Sequence, residues 1–375
     1  MRQNQLKALN DCRRIVVKVG TGLLADENGF RPEMIQKLAR EIHFLKKANR
    51  QVILVSSGAV GAGREVLKRR SDYEPLAEPG LSRKQALAAI GQVHLISEYS
   101  RLFSDVGIHS AQLLFSARDF RDRRAYLNIG HTLNELLDLD VVPIINENDT
   151  VSTEELKFGD NDMLSAACAG LFHADCLIIL TTVDGFLRDG KRIPFIELVD
   201  DEVLSFAGGP TGPGSGGMRT KMEAARLGQR VGHFTAILPG KQESPIRALL
   251  EGKDLGTLVP PFPESSARKL AARKKWILYV PGEGRLIVDD GARKALLEKG
   301  ASLLSAGVQQ CEGTFRQGDV VEILDNRDTV IARGLSSVPS ESLQGLIGGH
   351  SNANSSVEVV HRDNLILDPH PRIRK

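Results

Sequence analysis

Two short clusters of carboxylate and carboxamide side chains lie close together near the middle of the chain. The first, Asn146–Asp149, ends an apolar run that begins at Val141, and the second, Gly159–Asp162, opens a helical pattern. Carboxylates accept hydrogen bonds, and carboxamides both donate and accept them, so each cluster can orient a polar ligand. Strand ends and helix starts face the crevice in which open α/β sheets bind ligands. A turn and an N-cap at Asp160 would each explain one cluster, but the pair favours a binding site.

A lysine interrupts the first apolar run of the chain. Residues 14–20 read Arg-Ile-Val-Val-Lys-Val-Gly, which predicts a short buried strand with Lys18 inside it. Burying an amine is costly unless it reaches a partner. An edge strand with Lys18 in water would avoid this cost, but the bend expected at Gly20 favours a lysine that leans over a phosphate group.

Small residues follow the next predicted strand, at the point where a helix begins. The sequence from Ser56 to Gly63 is Ser-Ser-Gly-Ala-Val-Gly-Ala-Gly. Small residues at such a junction allow backbone N–H groups to approach an anion at the helix start. We expect Ser57 and Gly58 to contact a ligand. For Gly61 and Gly63, close packing between helix and strand is equally compatible with the sequence.

A glycine- and proline-rich segment, residues 208–217, precedes a helix predicted from Met218. A glycine-rich loop that opens a helix can cradle a phosphate group. The segment does not match the P-loop motif. A disordered surface loop is the alternative, but Lys221, on the first turn of the predicted helix, favours phosphate binding.

The order of the predicted elements indicates the fold that positions these residues. Strands are expected at 14–20, 51–55, 108–115, 141–145, 176–181 and 234–238, with helices between them near 35–45, 82–106, 118–139, after 162, and near 218–231. This alternation predicts an α/β fold, an open three-layer αβα sandwich with a mostly parallel sheet.

The remainder of the chain has a different character. Residues 252–275 are rich in proline and basic side chains, so we expect a first domain at 1–262, a linker at 263–275 and a second domain at 276–375. Apolar runs at 277–280, 285–288, 319–324 and 329–332 predict strands of a small β-rich barrel.

Composition limits the class of protein. The chain has 375 residues, which suggests two domains, and a net charge of +2, which gives no global attraction to nucleic acid or membranes. Its four cysteines are scattered, without a C-x-x-C pair, which is typical of a cytoplasmic protein. Neither a signal peptide nor a membrane-spanning run of ~20 apolar residues is evident.

In order and spacing, these motifs resemble those of the amino acid kinase family over about residues 1–260. The matching segments are Lys18–Thr21, Ser56–Ala59, Asn146–Asp149, Gly159–Asp162, Leu180–Thr181 with Gly185, and Gly216–Lys221. The second domain, residues 276–375 and here called the tail, resembles a PUA domain, especially at Val288–Ala292 and Gly300–Leu304. One position departs from the family pattern, because Thr182 stands where an aspartate is usual.

The resemblance implies roles for the residues of these motifs. It implies that Lys18 and Lys221 are catalytic and that Asp162 organises their ammonium groups. The residues implied to bind the amino acid are Ser57, Gly58, Ala59, Asp149 and Asn161. The residues implied to bind ATP are Lys18, Gly20, Thr181, Thr182, Ser215, Gly216, Gly217, Met218, Arg219, Thr220 and Lys221.

Within the family, the motifs are most similar to those of members that phosphorylate glutamate. The resemblance therefore implies ATP- and Mg²⁺-dependent phosphorylation of the γ-carboxylate of L-glutamate, the first step of proline biosynthesis. Magnesium is expected on the phosphates with mostly water ligands, and no protein ligand is assigned to it. The alternative within the fold is a kinase for acetylglutamate, aspartate, carbamate or a nucleotide.

The resemblance also implies partners. Proline is expected as a feedback inhibitor that overlaps the glutamate site, with Glu154 and Glu155 on the ribbon 150–158 influencing inhibition. A homo-oligomer and an association with glutamyl-phosphate reductase are further expectations. The alternative from another class is RNA binding through the tail, but residues 276–375 hold 11 basic and 13 acidic side chains, which gives no basic footprint. The basic stretch 268–275 supplies only a small basic footprint for RNA.

Overall fold

The computed structural model describes residues 2–26, 29–69, 80–152, 161–208, 217–262, 272–280, 282–347 and 357–373. The chain forms two compact units, Met1–Arg268 and Lys269–Lys375. The predicted features at Glu154, Glu155 and Asp160, and at Ser215 and Gly216, lie outside the described residues. Within the described part, no helix combines the length and apolar character needed to cross a membrane.

The first unit alternates strands and helices. Its strands are β1 (Arg14–Val19), β2 (Ala25–Asp26), β3 (Gly29–Phe30), β4 (Gln51–Ser56), β5 (Ser110–Phe115), β6 (Val142–Glu147), β7 (Cys176–Thr181), β8 (Leu187–Arg188), β9 (Lys191–Arg192), β10 (Phe234–Pro239) and β11 (Thr257–Val259). Its helices are α1 (Arg2–Leu9), α2 (Thr21–Leu24), α3 (Pro32–Lys47), α4 (Ala59–Lys68), α5 (Leu81–Ser104), α6 (Ala117–Arg121), α7 (Arg123–Asp138), α8 (Asn161–Leu171), α9 (Asp201–Phe206), α10 (Met218–Val231) and α11 (Pro245–Leu250).

Seven of these strands form one sheet in the order β11-β10-β7-β1-β4-β6-β5. All neighbouring strands are parallel except β11, which is antiparallel to β10. Parallel strands that are buried on both faces carry nearly continuous apolar sequences, which is why the strands could be located from the sequence. The predicted α/β fold with a mostly parallel sheet is confirmed.

The two faces of the central strand β1 serve different purposes. Ile15, Val17 and Val19 point into a core that they share with buried residues of α3. Because side chains alternate along a strand, Lys18 lies on the opposite face, where α8 packs. The sheet is therefore covered by helices on both faces, and Lys18 is not on an edge strand.

The predicted helix at 118–139 is in fact two helices. Asp122 has an extended backbone and separates α6 from α7. Its side chain accepts a hydrogen bond from the backbone N–H of Ala125 at 2.8 Å and thereby caps α7. The break between α6 and α7 is not apparent in the arginine-rich sequence around Asp122, because an aspartate is also common on a solvated helix face.

The second unit is rich in β-structure, as predicted. Its strands are β12 (Gly284–Val288), β13 (Leu303–Leu304), β14 (Val308–Gly313), β15 (Val320–Leu324), β16 (Thr329–Leu335), β17 (Glu358–Val360) and β18 (Leu365–Ile373), and its helices are α12 (Ala272–Tyr279), α13 (Asp290–Lys299) and α14 (Ser340–Leu346). Five strands pair in the order β14-β12-β15-β16-β18, and β13 pairs with β17.

One strand prediction in this unit is wrong. Residues 277–279 of this apolar run are the last residues of the helix α12, and Val280 directly follows the helix. Within α12, Trp276 to Tyr279 are buried. A short apolar run fits a buried helix segment as well as a strand, and periodicity alone does not separate the two. The same helix occupies residues 272–275, which the sequence assigned to a linker.

Candidate functional site

A single carboxylate joins two buried lysines at the carboxyl end of the sheet. Asp162 lies on the first turn of α8 and is fully buried. Its Oδ1 is 2.6 Å from Nζ of Lys18, and its Oδ2 is 2.9 Å from Nζ of Lys221. These three side chains, here called the charged centre, carry a net charge of +1. Buried charges persist where they are paired, and the surplus positive charge suits an anionic ligand.

The start of α10 brings a second donor to the same carboxylate. The hydroxyl proton of Thr220 has two acceptors within reach of Oγ1, Oδ2 of Asp162 at 2.9 Å and the carbonyl of Gly217 at 3.0 Å. Gly217 is the N-cap residue of α10, so the helix begins where the sequence predicted. The first N–H groups of a helix have no partner within it and bind anions such as phosphate. The charged centre therefore adjoins a helix start that can hold a phosphate group.

The other predicted ATP-binding residues differ in their position relative to this centre. Gly20 follows β1, and a Cβ atom built on it would lie 3.7 Å from Nζ of Lys18. Thr181 ends β7 and is buried, whereas Thr182 is exposed. Met218 packs against an apolar cluster, and Arg219 pairs with Glu223 at 3.1 Å on the surface of α10. The structure thus brings Lys18, Gly20, Gly217, Thr220 and Lys221 towards one carboxylate and leaves Met218 and Arg219 out of it.

Neutral side chains form a hydrogen-bonded chain next to the charged centre. Nδ2 of Asn161 donates to Oγ of Ser57 at 2.8 Å and to Oδ1 of Asn146 at 3.0 Å. Nδ2 of Asn146 donates to Oε1 of Gln92 at 2.8 Å. These four residues, here called the amide network, come from α8, β6, α5 and the turn between β4 and α4. Asn161 directly precedes Asp162, so one helix start supplies both groups.

One buried acceptor in the amide network is left open. Oδ1 of Asn161 is buried and accepts no hydrogen bond from any residue that the structure describes. A buried polar atom without a partner is costly, and native proteins seldom retain one unless a ligand or water satisfies it. The atom is therefore available to an N–H donor of a bound ligand.

The junction between β4 and α4 has the geometry expected of a ligand-binding turn. Gly58 is the N-cap residue of α4 and has a φ of 104°, a left-handed conformation that glycine adopts without strain. Ser57 and Ala59, on either side of it, are buried. Gly61 and Gly63 serve packing instead, because a Cβ on Gly63 would come within 1.9 Å of the carbonyl oxygen of Leu87 and one on Gly61 within 2.8 Å of Cβ of Ala25.

Asp149 lies beyond the end of β6, in a turn in which the backbone N–H groups of Val151 and Ser152 donate to the carbonyl of Asn148. Its side chain is half-buried. Asn146, the first residue of the same cluster, is the last but one residue of β6 and is buried. The cluster Asn146–Asp149 therefore spans a strand end and the turn that follows it, as the sequence predicted.

Two residues near the site were missed by the sequence analysis. Gln92 belongs to the amide network, and the hydroxyl of Tyr99 lies 2.9 Å from Oγ of Ser56. Both belong to α5, together with Gln85, whose Nε2 donates to the carbonyl of Ser152 at 3.3 Å. The three residues are seven positions apart, which places them on one face of the helix. That spacing of polar residues was the available signal.

The described residues contain no group of three or more histidine, cysteine, aspartate or glutamate side chains arranged to hold a metal ion. The buried carboxylate of Asp162 is engaged by two ammonium groups and a hydroxyl. The cations that the described site presents next to this carboxylate are Lys18 and Lys221.

Comparison with known proteins agrees with the resemblance derived from the motifs. The model of the amino acid kinase family matches residues 13–233, and that of the PUA domain matches residues 284–357. The chain is 41% identical over 371 residues to a glutamate 5-kinase from Caldanaerobacter subterraneus subsp. tengcongensis, covering 94% of this chain and 97% of the relative. It is 41% identical over 375 residues to a glutamate 5-kinase from Dictyoglomus thermophilum, covering 96% and 98%.

Among solved structures, the chain is similar to a carbamate kinase from Giardia, with 19% sequence identity and a TM-score of 0.48. This similarity covers 67% of this chain and 99% of that one.

Proposed function

The chain belongs to the amino acid kinase family, among the glutamate 5-kinases, and from this premise we propose how its residues transfer a phosphoryl group from ATP to the γ-carboxylate of L-glutamate. The observation that carries the proposal is the charged centre, in which one buried carboxylate holds two ammonium groups. The product is L-glutamyl 5-phosphate, and the reaction is the first step of proline biosynthesis.

The chemistry needs cations rather than a general base. A carboxylate with a pKa near ~4 is already deprotonated at neutral pH and is ready to act as the nucleophile. The difficulty is that one anion attacks another. Phosphoryl transfer is accelerated mainly by positioning and by electrostatic stabilisation of the oxygens that gain charge. Lys18 and Lys221 supply that stabilisation.

Asp162 acts as the organiser of the two lysines. It forms an ion pair with Lys18 through one oxygen and accepts a hydrogen bond from Lys221 through the other, so each ammonium group is held before ATP binds. A carboxylate that is paired with two ammonium groups and a hydroxyl is poorly suited to take a proton from the substrate. We assign it a positioning role and no proton transfer.

The amide network and the adjoining turn form the proposed glutamate pocket. Ser57, Gly58, Ala59 and Asn161 lie together at the start of α4 and α8. The open Oδ1 of Asn161 suits the α-ammonium group of an amino acid, as does the carboxylate of Asp149. Hydrogen-bonding groups that are left unpaired without the right ligand give strong discrimination between substrates.

ATP is proposed to bind on the other side of the charged centre. The residues assigned to this subsite are Lys18, Gly20, Thr181, Thr182, Ser215, Gly216, Gly217, Met218, Arg219, Thr220 and Lys221. The start of α10 supports the assignment, because it presents backbone N–H groups beside Lys221. Met218 and Arg219 would contribute through their backbone, since their side chains are engaged elsewhere.

Further parts of the proposal rest on the family alone. Mg²⁺ is proposed to enter with ATP, and proline is proposed as a feedback inhibitor. A cytoplasmic homo-oligomer, an association with glutamyl-phosphate reductase and weak RNA binding by the PUA domain complete it. The proposed domain limits are 1–262 for catalysis, 263–275 for the linker and 276–375 for the PUA domain.

The experiment that tests the function is ATP turnover measured with a panel of acceptors. The panel contains glutamate, aspartate, N-acetylglutamate and carbamate, and hydroxylamine traps an acyl phosphate of the first three as a hydroxamate and carbamoyl phosphate as hydroxyurea. We expect hydroxamate with glutamate and little with the others. Turnover with another acceptor in preference to glutamate would replace the proposal with a different kinase activity.

A further inference from the structure

Gln92 lies beside the proposed glutamate pocket and has no assigned role. It is on α5, which packs closely against α4 through small residues. A Cβ on Gly91 would come within 1.9 Å of the carbonyl oxygen of Ala59, the first residue of α4. Gln92 therefore follows the point at which α5 touches the start of α4, where the pocket residues Gly58 and Ala59 lie.

The hydrogen bonds fix the orientation of each amide in the network. The backbone N–H of Glu147, which can only donate, points to Oδ1 of Asn146 at 2.9 Å. The other end of that carboxamide is therefore the NH₂ group, and it faces Gln92, whose contacting atom must be the acceptor Oε1. With Oδ1 of Asn146 also facing Asn161, the latter must present its NH₂ group. The chain of donors and acceptors runs in one direction only.

This orientation determines what Asn161 offers to a ligand. Its NH₂ group is occupied by Asn146 and Ser57, so its oxygen is the atom that remains open. If Asn146 rotated by a half-turn, it would present NH₂ to the NH₂ of Asn161 and to the N–H of Glu147. Gln92 opposes that rotation, because its Oε1 accepts only from the present orientation.

We propose that Gln92 is a positioning residue for the amino acid substrate, acting through Asn146 to hold Asn161 and Ser57 in the orientation that binds it. The inference rests on the proposed function, since it assigns the amide network to the glutamate pocket. In this proposal, α5 stabilises the pocket through the hydrogen bond between Gln92 and Asn146. This role also separates Gln92 from the charged centre, which contains no residue of α5.

The first test replaces Gln92 with a side chain of similar length that cannot accept a hydrogen bond from Asn146. In the full-length protein, Gln92→Met should raise the KM for glutamate about tenfold, the effect of one lost hydrogen bond in a buried network. The KM for ATP should change less than about twofold, because the proposed ATP subsite lies on the other side of the charged centre. Gln92→Leu provides a second variant should the methionine variant melt well below the wild type.

The matched control is Gln85→Met on the same face of α5. Gln85 also makes one hydrogen bond, but to the carbonyl of Ser152 and not to the amide network. It should leave the KM for glutamate within about twofold of the wild type. An equal rise in both variants would show that loosening α5 is sufficient, and the specific role of Gln92 would be wrong.

A double-mutant cycle tests whether Gln92 acts through Asn146. Asn146→Ala should raise the KM for glutamate, and adding Gln92→Met should then have little further effect, since residues of one network are not additive. Additive effects would overturn the proposed route. The function itself is judged separately from the wild type: if it forms hydroxamate with glutamate and Gln92→Met keeps the wild-type KM, only the inference fails.

Discussion

The charged centre and the amide network lie at the start of the same helix but are built from different chemistry. The charged centre uses full charges, with two ammonium groups and one carboxylate that is fully buried. The amide network uses neutral carboxamides and a hydroxyl, connected donor to acceptor. Asn161 and Asp162 are consecutive residues, and about 100° separates successive side chains on a helix. One helix start therefore serves two subsites.

The difference matches what each subsite has to do. Charge changes during the reaction at the transferred phosphoryl group, and fixed charges stabilise it there. Nothing changes at the α-carbon of the amino acid, where the task is recognition. Neutral groups with fixed donor and acceptor directions recognise a ligand without disturbing the charges nearby. Substitutions in the charged centre should thus lower kcat, whereas those in the amide network should raise KM.

The largest effect is expected from removing either lysine of the charged centre. Lys18→Ala and Lys221→Ala should each lower kcat by about 10²–10³, which is typical of losing one oriented charge at a developing anion. The measurement is steady-state turnover with saturating glutamate and ATP. The matched control is Lys37→Ala, which removes a lysine paired with Glu243 on the surface at 3.2 Å.

Near-normal turnover in either lysine variant would contradict the division of roles between the two subsites, because that lysine would then have no catalytic role. Thermal melting should accompany the assay. Each variant leaves Asp162 with one ammonium partner, so some loss of stability is expected without loss of the fold.

A smaller and different effect is expected from Asp149→Ala. Loss of its carboxylate should raise the KM for glutamate by about tenfold or more and leave the KM for ATP nearly unchanged, since a charge-assisted hydrogen bond to the α-ammonium group is lost. Asp105→Ala, at the exposed end of α5, is the control for removing an acidic side chain. An equal rise in both KM values would move Asp149 out of the amino acid pocket.

Residue types and spacing indicated each half of the charged centre, whereas its connection through Asp162 was implied only by the family resemblance. Lys18 was conspicuous as an amine in an apolar run, and Lys221 as a lysine after a glycine-rich loop. Their shared partner follows from topology, because β1 lies between β7 and β4 and α8 packs across β1. The parallel strands were located well, since burial on both faces leaves an unbroken apolar run.

Gln92 was not predictable in the same way. A glutamine on an amphipathic helix is usually solvated, and the seven-residue spacing of Gln85, Gln92 and Tyr99 marks a shared helix face without showing that this face supports a pocket. Its position depends on the close packing of α4 and α5 at Gly63 and Gly91, which is a tertiary property. The break at Asp122 and the helix at 277–279 escaped for a related reason, because short polar or apolar stretches fit more than one structure.

Removing the tail should have less effect on activity than any substitution above. The core of the first unit is formed by residues between Leu6 and Leu258, and that of the second by residues between Leu286 and Leu365. Every residue of the charged centre and the amide network precedes Met222. A protein ending at Arg268 should therefore fold and keep kcat within about threefold of the full chain. Loss of turnover would show that the two subsites are not sufficient for catalysis without the second unit.

A second buried carboxylate, Glu41, tests whether burial alone makes a carboxylate functional. It lies on α3, is 5% exposed, and accepts a hydrogen bond from the backbone N–H of Arg247 at 3.1 Å. Among the described residues, no cation forms a salt bridge with it, whereas Asp162 has two ammonium partners. Burial raises the pKa of Glu41 from 4.5 to about 7, although hydrogen bonds from Arg247, Ser244 and Ile246 oppose the rise.

The smallest effect on activity and a distinct effect on stability are therefore expected from Glu41→Gln. Because the pKa of Glu41 is higher in the folded than in the unfolded state, its contribution to stability is complete below about pH 4.5 and is lost as the pH rises through about 7. The glutamine variant has no such loss, so its melting temperature relative to the wild type should rise between pH 5 and pH 8. The control Glu135→Gln, at an exposed position of α7, should show no such change. Turnover at neutral pH should stay at the wild-type level, because Glu41 belongs to neither subsite. If kcat fell as much as in the lysine variants, a buried carboxylate would be needed for activity even without ammonium partners. The pairing of Asp162 with two lysines would then not explain its role.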